Sequence, residues 1–269
     1  MTRILHVVVA PAAVVMLTTG FLGAASAGQG TVTGTIAGHV RLIGPAPANP
    51  VVRMGADPRC SQANRGRRPM QELVLRSADG GLANGFVHLD GAFPAAATAS
   101  QPVVVDQTGC LFTPRVVGAR VGQTLQVTNN DPTGHNLHSL STKGNAFNTS
   151  QPVKGMTFKY QLKADEEMMR IKCDIHPWML AYVGVARHPY FAVSGADGAF
   201  TIARVPPGRY TIKVWHEVYG ILSRTVDVKA GATATVDFSY TGTEKPRAAT
   251  MQELTVPAGA SAIYLASAR

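Results

Sequence analysis

Two short stretches of this chain carry side chains with metal-ligand chemistry. One is His135-Asn136. The other begins 38 residues after His135 and reads Cys173-Asp174-Ile175-His176-Pro177-Trp178-Met179. Cys-x2-His-x2-Met places a thiolate, an imidazole and a thioether on one loop, and His135 can add a second imidazole from a neighbouring strand. Thiolate and thioether favour Cu(I), imidazoles accommodate Cu(II), and neither state obtains its preferred geometry. A His2Cys set with a weak Met donor therefore selects copper and suits it to one-electron transfer.

Other metals fit less well. Cys173, His176, His135 and His138 could hold zinc tetrahedrally. His135 and His138 are three apart on an expected strand, however, so they tend to face opposite sides, and Met179 would have no role. His138 lies close to the loop whichever way it faces. A binuclear copper centre needs a second loop cysteine, and none occurs between 174 and 188. The Cys-x-x-Cys-His of a c-type haem is also absent.

The first 27 residues read as a targeting segment. Arg3 is followed by an apolar run from Ile4 to Leu22 and by Ala25-Ser26-Ala27, a small-residue cleavage site. An uncleaved anchor is the alternative. The expected mature protein is exported, to a periplasm or outside the cell, and no later apolar run is long enough to span a membrane. Without Arg3 it carries 24 Lys and Arg against 16 Asp and Glu, a net +8. Export makes nucleic acid an unexpected partner. The Arg65-Gly66-Arg67-Arg68 run reads as a solvated loop or as a patch that steers an acidic partner. An exported protein tends to pair its thiols. With Cys173 assigned to the loop, Cys60 and Cys110 are the natural disulfide, three free thiols being the alternative.

The elements that must position these residues are strands. Leu125 and Val127, then Phe158, Tyr160 and Leu162, alternate with polar residues. Tyr210 to Val214 and Thr225 to Val228 do the same. Such alternation marks half-buried antiparallel strands. Asp197-Gly198, Pro206-Pro207-Gly208, Ala230-Gly231 and Asn129-Asn130-Asp131-Pro132 supply turns between them. Charged residues make up 15%, against roughly 25% in an average soluble domain, with 27 Gly and 17 Pro, which excludes coiled coils and helical bundles. Only Lys163 to Met168 reads as helical. The expected fold is all-β, built from sandwiches.

Two resemblances refine this. Asp197-Gly-Ala-Phe-Thr-Ile-Ala-Arg-Val-Pro-Pro-Gly-Arg-Tyr-Thr-Ile-Lys-Val214 resembles the second half of a carboxypeptidase regulatory-like or transthyretin-like sandwich. Strands like those of its first half occur at Gly34 to Val40 and Gly85 to Leu89. That separation implies an insertion: a sandwich formed by 28–100 and 188–240, interrupted by a domain at 101–187, with 241–269 unassigned. Two sequential domains are the alternative. The interrupting segment resembles the cupredoxins, the type 1 blue-copper proteins, most closely their amicyanin-like and plastocyanin-like members. The resemblance implies a Greek-key sandwich holding one type 1 copper ion through His135, Cys173, His176 and Met179. In it Asn136 ties the two ligand loops together, and His176 reaches a solvent edge beside Pro177 and Trp178, the electron-transfer surface.

The remaining histidines receive structural readings: His88 and His39 in strands, His188 at the domain junction, His216 with Glu217 at a turn. Trp215, Tyr219, Tyr190 and Phe191 could form a carbohydrate platform, or Trp215 could pack on the inserted domain. The expected function is an exported electron carrier, not an enzyme, docking transiently with an acidic redox partner. A copper-handling or surface-binding sandwich is the competing reading.

Overall fold

The computed structural model describes residues 32–94 and 99–244. The export signal expected at 1–27 and residues 245–269 of the unassigned C-terminal segment lie outside the described residues. In chain order the strands are β1 (Gly34–Leu42), β2 (Phe86–Asp90), β3 (Val103–Gln107), β4 (Phe112–Thr113), β5 (Val116–Arg120) and β6 (Thr124–Asn129). There follow β7 (His135–Ser139), β8 (Asn148–Gln151), β9 (Thr157–Gln161), β10 (Glu166–Lys172), β11 (Leu180–Ala186) and β12 (Phe191–Val193). The last are β13 (Ala199–Val205), β14 (Gly208–His216), β15 (Gly220–Val228), β16 (Thr233–Thr235) and β17 (Phe238–Tyr240). One short helix, α1 (Pro58–Ala63), lies between β1 and β2. The chain is all-β. Among the described residues no helix is long and apolar enough to cross a membrane.

The strands make two sandwiches. In the outer one, β1 pairs with β13 on one edge and with β16 and β17 on the other, facing a second sheet in the order β12-β2-β14-β15. Ile36, Val40, Leu42, Val87, Leu89, Phe200, Ile212, Val214 and Phe238 fill the space between. Every second residue of β1 is buried, as the alternating pattern requires. The inner sandwich comprises β4-β3-β6-β9 and β5-β11-β10-β7-β8, all drawn from the chain between β2 and β12. Its core holds Val105, Leu125, Val127, Leu137, Leu162, Met169, Ile171 and Val183. Val52, Met54 and Cys60 join that core as well, although they lie far upstream of its strands.

The sandwiches meet across β5 and β11. Gly118 and Gly184 sit opposite each other there. A Cβ on Gly118 would come within 2.6 Å of the Phe191 ring, and one on Gly184 would overlap the Phe86 ring. Bare backbone is therefore needed for the outer aromatics to seat. Trp215 is buried beside Tyr182, with ring centroids 4.9 Å apart, so it packs on the inner sandwich. Arg115 donates to both carboxylate oxygens of Glu217, at 2.6 and 2.9 Å. Glu217 thus serves the junction, not a local pair with His216.

The helix expected at 163–168 is absent. Glu166 to Lys172 is strand β10, because Met169 and Ile171 enter the core at a two-residue period and the segment pairs with β11. The helix forms instead at Pro58, where Asp57 caps it by accepting from the N–H groups of Arg59 and Cys60 and proline occupies the first turn.

Candidate metal centre

Strand β7 buries His135, Leu137 and Ser139 and leaves Asn136 and His138 on the other face. His138 accordingly lies apart from His135 and pairs with Asp174 at 3.0 Å. The loop after β10 carries Cys173, His176 and Met179, all buried. It is closed by its own backbone: the Cys173 N–H donates to the Met179 carbonyl (3.2 Å) and the Met179 N–H to the His176 carbonyl (2.9 Å). Asn136 joins the loop to β7. Its Oδ1 accepts from the Asp174 N–H at 3.2 Å, and its own N–H points at Cys173 Sγ from 3.3 Å.

This arrangement brings the imidazole nitrogens of His135 and His176 and the Cys173 sulfur within 4.8 Å of one another. The two Nδ1 atoms are 3.0 Å apart, and Cys173 Sγ is 3.8 Å from His176 Nδ1. Each outer nitrogen meets a carboxylate: His135 Nε2 donates to Asp131 at 2.9 Å and His176 Nε2 to Asp57 at 3.0 Å. A carboxylate only accepts, so these contacts fix the proton on Nε2 and leave both Nδ1 atoms turned inward, the tautomer a metal needs. The donor set fits copper. Two further three-residue clusters include Cys60 or Cys110, whose sulfurs are joined in a disulfide and offer no thiolate.

The surroundings shift Cys173 toward its thiolate. Burial raises the Cys173 thiol, but hydrogen bonds from His135 and from the backbone N–H groups of Asn136, His176 and Ile175 outweigh it and lower its pKa. Burial also works against the His135 cation, yet Asp131 and Cys173 hold its pKa at about 9 in the metal-free protein. Metal binding must displace that proton.

The expected solvent edge at His176 is overturned: the residue is 1% exposed. The segment around α1 folds over it, placing Asp57 on Nε2 and Cys60 Sγ 3.5 Å from the same atom. The disulfide between Cys60 and Cys110 fastens that segment to the loop between β3 and β4. Of the surface trio only Pro177 is exposed. Trp178 is half-buried, lies against His176 and donates from Nε1 to the Cys110 carbonyl at 2.9 Å. The carbohydrate platform is not formed either. Trp215 and Tyr219 are buried, and Phe191 and Tyr190 pack on Phe86 and Phe93.

Asp57 and Asp131 escaped the sequence reading. Asp131 precedes His135 by four residues within a recognised turn, where turn chemistry already accounted for it. Asp57 is 119 positions from His176; the Asp57-Pro58 pair announces a helix cap and nothing about a metal.

Residues 181–241 match the carboxypeptidase regulatory-like domain family. No curated protein matches the chain. Among solved structures, the copper-containing nitrite reductase from Thermus scotoductus SA-01 aligns at 24% identity with a TM-score of 0.28, over 35% of this chain. The chain spans only about a quarter, 24%, of that enzyme's length. A purple cupredoxin from Nitrosopumilus maritimus aligns at 25% identity over 30% of this chain and 97% of its own, with a TM-score of 0.27. A mutant amicyanin in its Cu(I) form aligns at 21% over 38% and 98%, with a TM-score of 0.29.

Proposed function

We propose that the chain is an exported type 1 copper protein carrying single electrons between redox partners. The observation that carries the reading is the convergence of His135 Nδ1, His176 Nδ1 and Cys173 Sγ, with each imidazole held by a carboxylate on its far side. These three atoms would hold the ion, and Met179 would add a weaker thioether donor. Copper bound there would supply one-electron chemistry between Cu(I) and Cu(II). The chain's own residues hold the ligands rigidly and exclude water. His135 is 0% and His176 1% exposed, so a substrate has no direct approach to the ligands, which favours outer-sphere electron transfer over catalysis. Export is supported by the N-terminal pattern and the disulfide. Arg65, Arg67 and Arg68 are exposed and supply positive charge to steer an acidic partner.

Voltammetry of the copper-loaded protein tests the function. A reversible one-electron wave is expected, and Met179→Leu should raise the potential, since a weak donor that helps Cu(II) more than Cu(I) is lost. Tight Cu(I) binding without a reversible wave would favour copper handling instead.

A further inference from the structure

Resting on that copper reading, we propose that Asp57 is a positioning residue for the metal site, brought from outside the inner sandwich to orient His176 and raise its strength as a ligand. The carboxylate is held on both oxygens. Oδ1 accepts from the N–H groups of Arg59 (2.8 Å) and Cys60 (3.1 Å), and Oδ2 takes the Thr133 hydroxyl (3.1 Å) and His176 Nε2 (3.0 Å). It has no freedom to turn away from the imidazole.

The segment bearing it is equally fixed. Val52 and Met54 are packed in the inner core, and the disulfide joins Cys60 to Cys110. Arg59 donates to the Pro132 carbonyl at 2.9 Å, and Asn64 to the Gly109 carbonyl at 2.9 Å. A carboxylate on the outer N–H of a ligating histidine sets its tautomer and makes the inner nitrogen a better donor; losing such a partner costs about 10–100-fold in metal affinity. A more basic imidazole serves Cu(II) more than Cu(I). Asp57 therefore lowers the reduction potential, and Asp131 behind His135 makes the arrangement two-sided.

Asp57→Asn tests this role: Oδ1 can still cap the helix, whereas Nδ2, which only donates, replaces the oxygen that accepts from His176 Nε2, so both the charge and the acceptor are lost. Affinities for Cu(II) and Cu(I) would be measured by chelator competition, and the potential by spectroelectrochemistry. The variant should keep its colour and lose about tenfold or more in Cu(II) affinity. If the loss for Cu(II) exceeds that for Cu(I) by tenfold, the potential rises by about 59 mV. Asp57→Glu should recover part of both. Wild-type protein that stays colourless with copper would sink the underlying reading and this proposal with it. A coloured wild type whose Asp57→Asn variant matches it in potential and both affinities would overturn the proposal alone. So would equal losses for the two oxidation states, which mark a merely structural contact.

Discussion

Replacing Arg115 by methionine tests whether the junction between the sandwiches is held by charge. Arg115 precedes β5, and Glu217 lies in the turn between β14 and β15. Their side chains are 8% and 6% exposed, and the two hydrogen bonds measure 2.6 and 2.9 Å. Methionine preserves much of the arginine stem but strands the carboxylate where water cannot reach it. Removing one partner of a buried pair costs about 3–5 kcal/mol, most of it the uncompensated charge left behind. Replacing both with apolar groups removes the pair and its desolvation together, so Arg115→Met/Glu217→Leu should recover most of the loss. The coupling energy from the double-mutant cycle should reach about 3 kcal/mol. Urea unfolding at pH 7 reads all four proteins, with unchanged slopes confirming that native stability has moved. A single-variant cost below about 1 kcal/mol, or additive costs, would refute the argument and leave the junction to its aromatic packing.

The same junction predicts that Gly184→Ala costs about 1–3 kcal/mol by forcing Cβ into the Phe86 ring, with a smaller ring-site residue in Phe86→Leu/Gly184→Ala relieving part of it; additivity would deny the contact. His216 is held neutral by burial and by the charge of Arg115, its pKa depressed to about 4. Its contribution is full above pH 6.5 and is lost as pH falls toward 4, because the unfolded chain takes the proton first, for a total of about 3 kcal/mol. NMR titration of the ring should show the low value, and a midpoint near 6.5 would contradict it. Closing 50 positions, the Cys60–Cys110 bond should contribute about 4 kcal/mol. Unfolded, metal-free, unreduced protein should titrate one thiol, and three would refute the bond.

Alternation made the sheets legible. β6 and β9 place their apolar residues at every second position, and the Asp197-Gly198 and Pro207-Gly208 turns bound strands that the structure contains. The start of β10 looks helical in sequence because Lys163, Asp165, Glu166 and Glu167 crowd it and hide the two-residue burial of Met169 and Ile171. The candidate ligand residues were legible as a group because Cys173, His176 and Met179 recur at three-residue spacing on one loop. What lies behind them was not. The cover over His176 comes from Asp57 and Cys60, more than a hundred residues upstream, and only the folded chain shows that the imidazole faces a carboxylate instead of solvent. Spacing identifies donors; long-range packing decides their exposure.

If His135, Cys173 and His176 together hold one copper ion, titrating the purified mature protein with Cu(II) develops a visible spectrum that reads the site itself. An intense thiolate-to-copper band should appear, saturate at one equivalent, be lost in Cys173→Ser, and survive in His138→Ala, whose histidine lies on the other face of β7. A colourless protein that binds one zinc through the same residues, or a band that persists without Cys173, would contradict it.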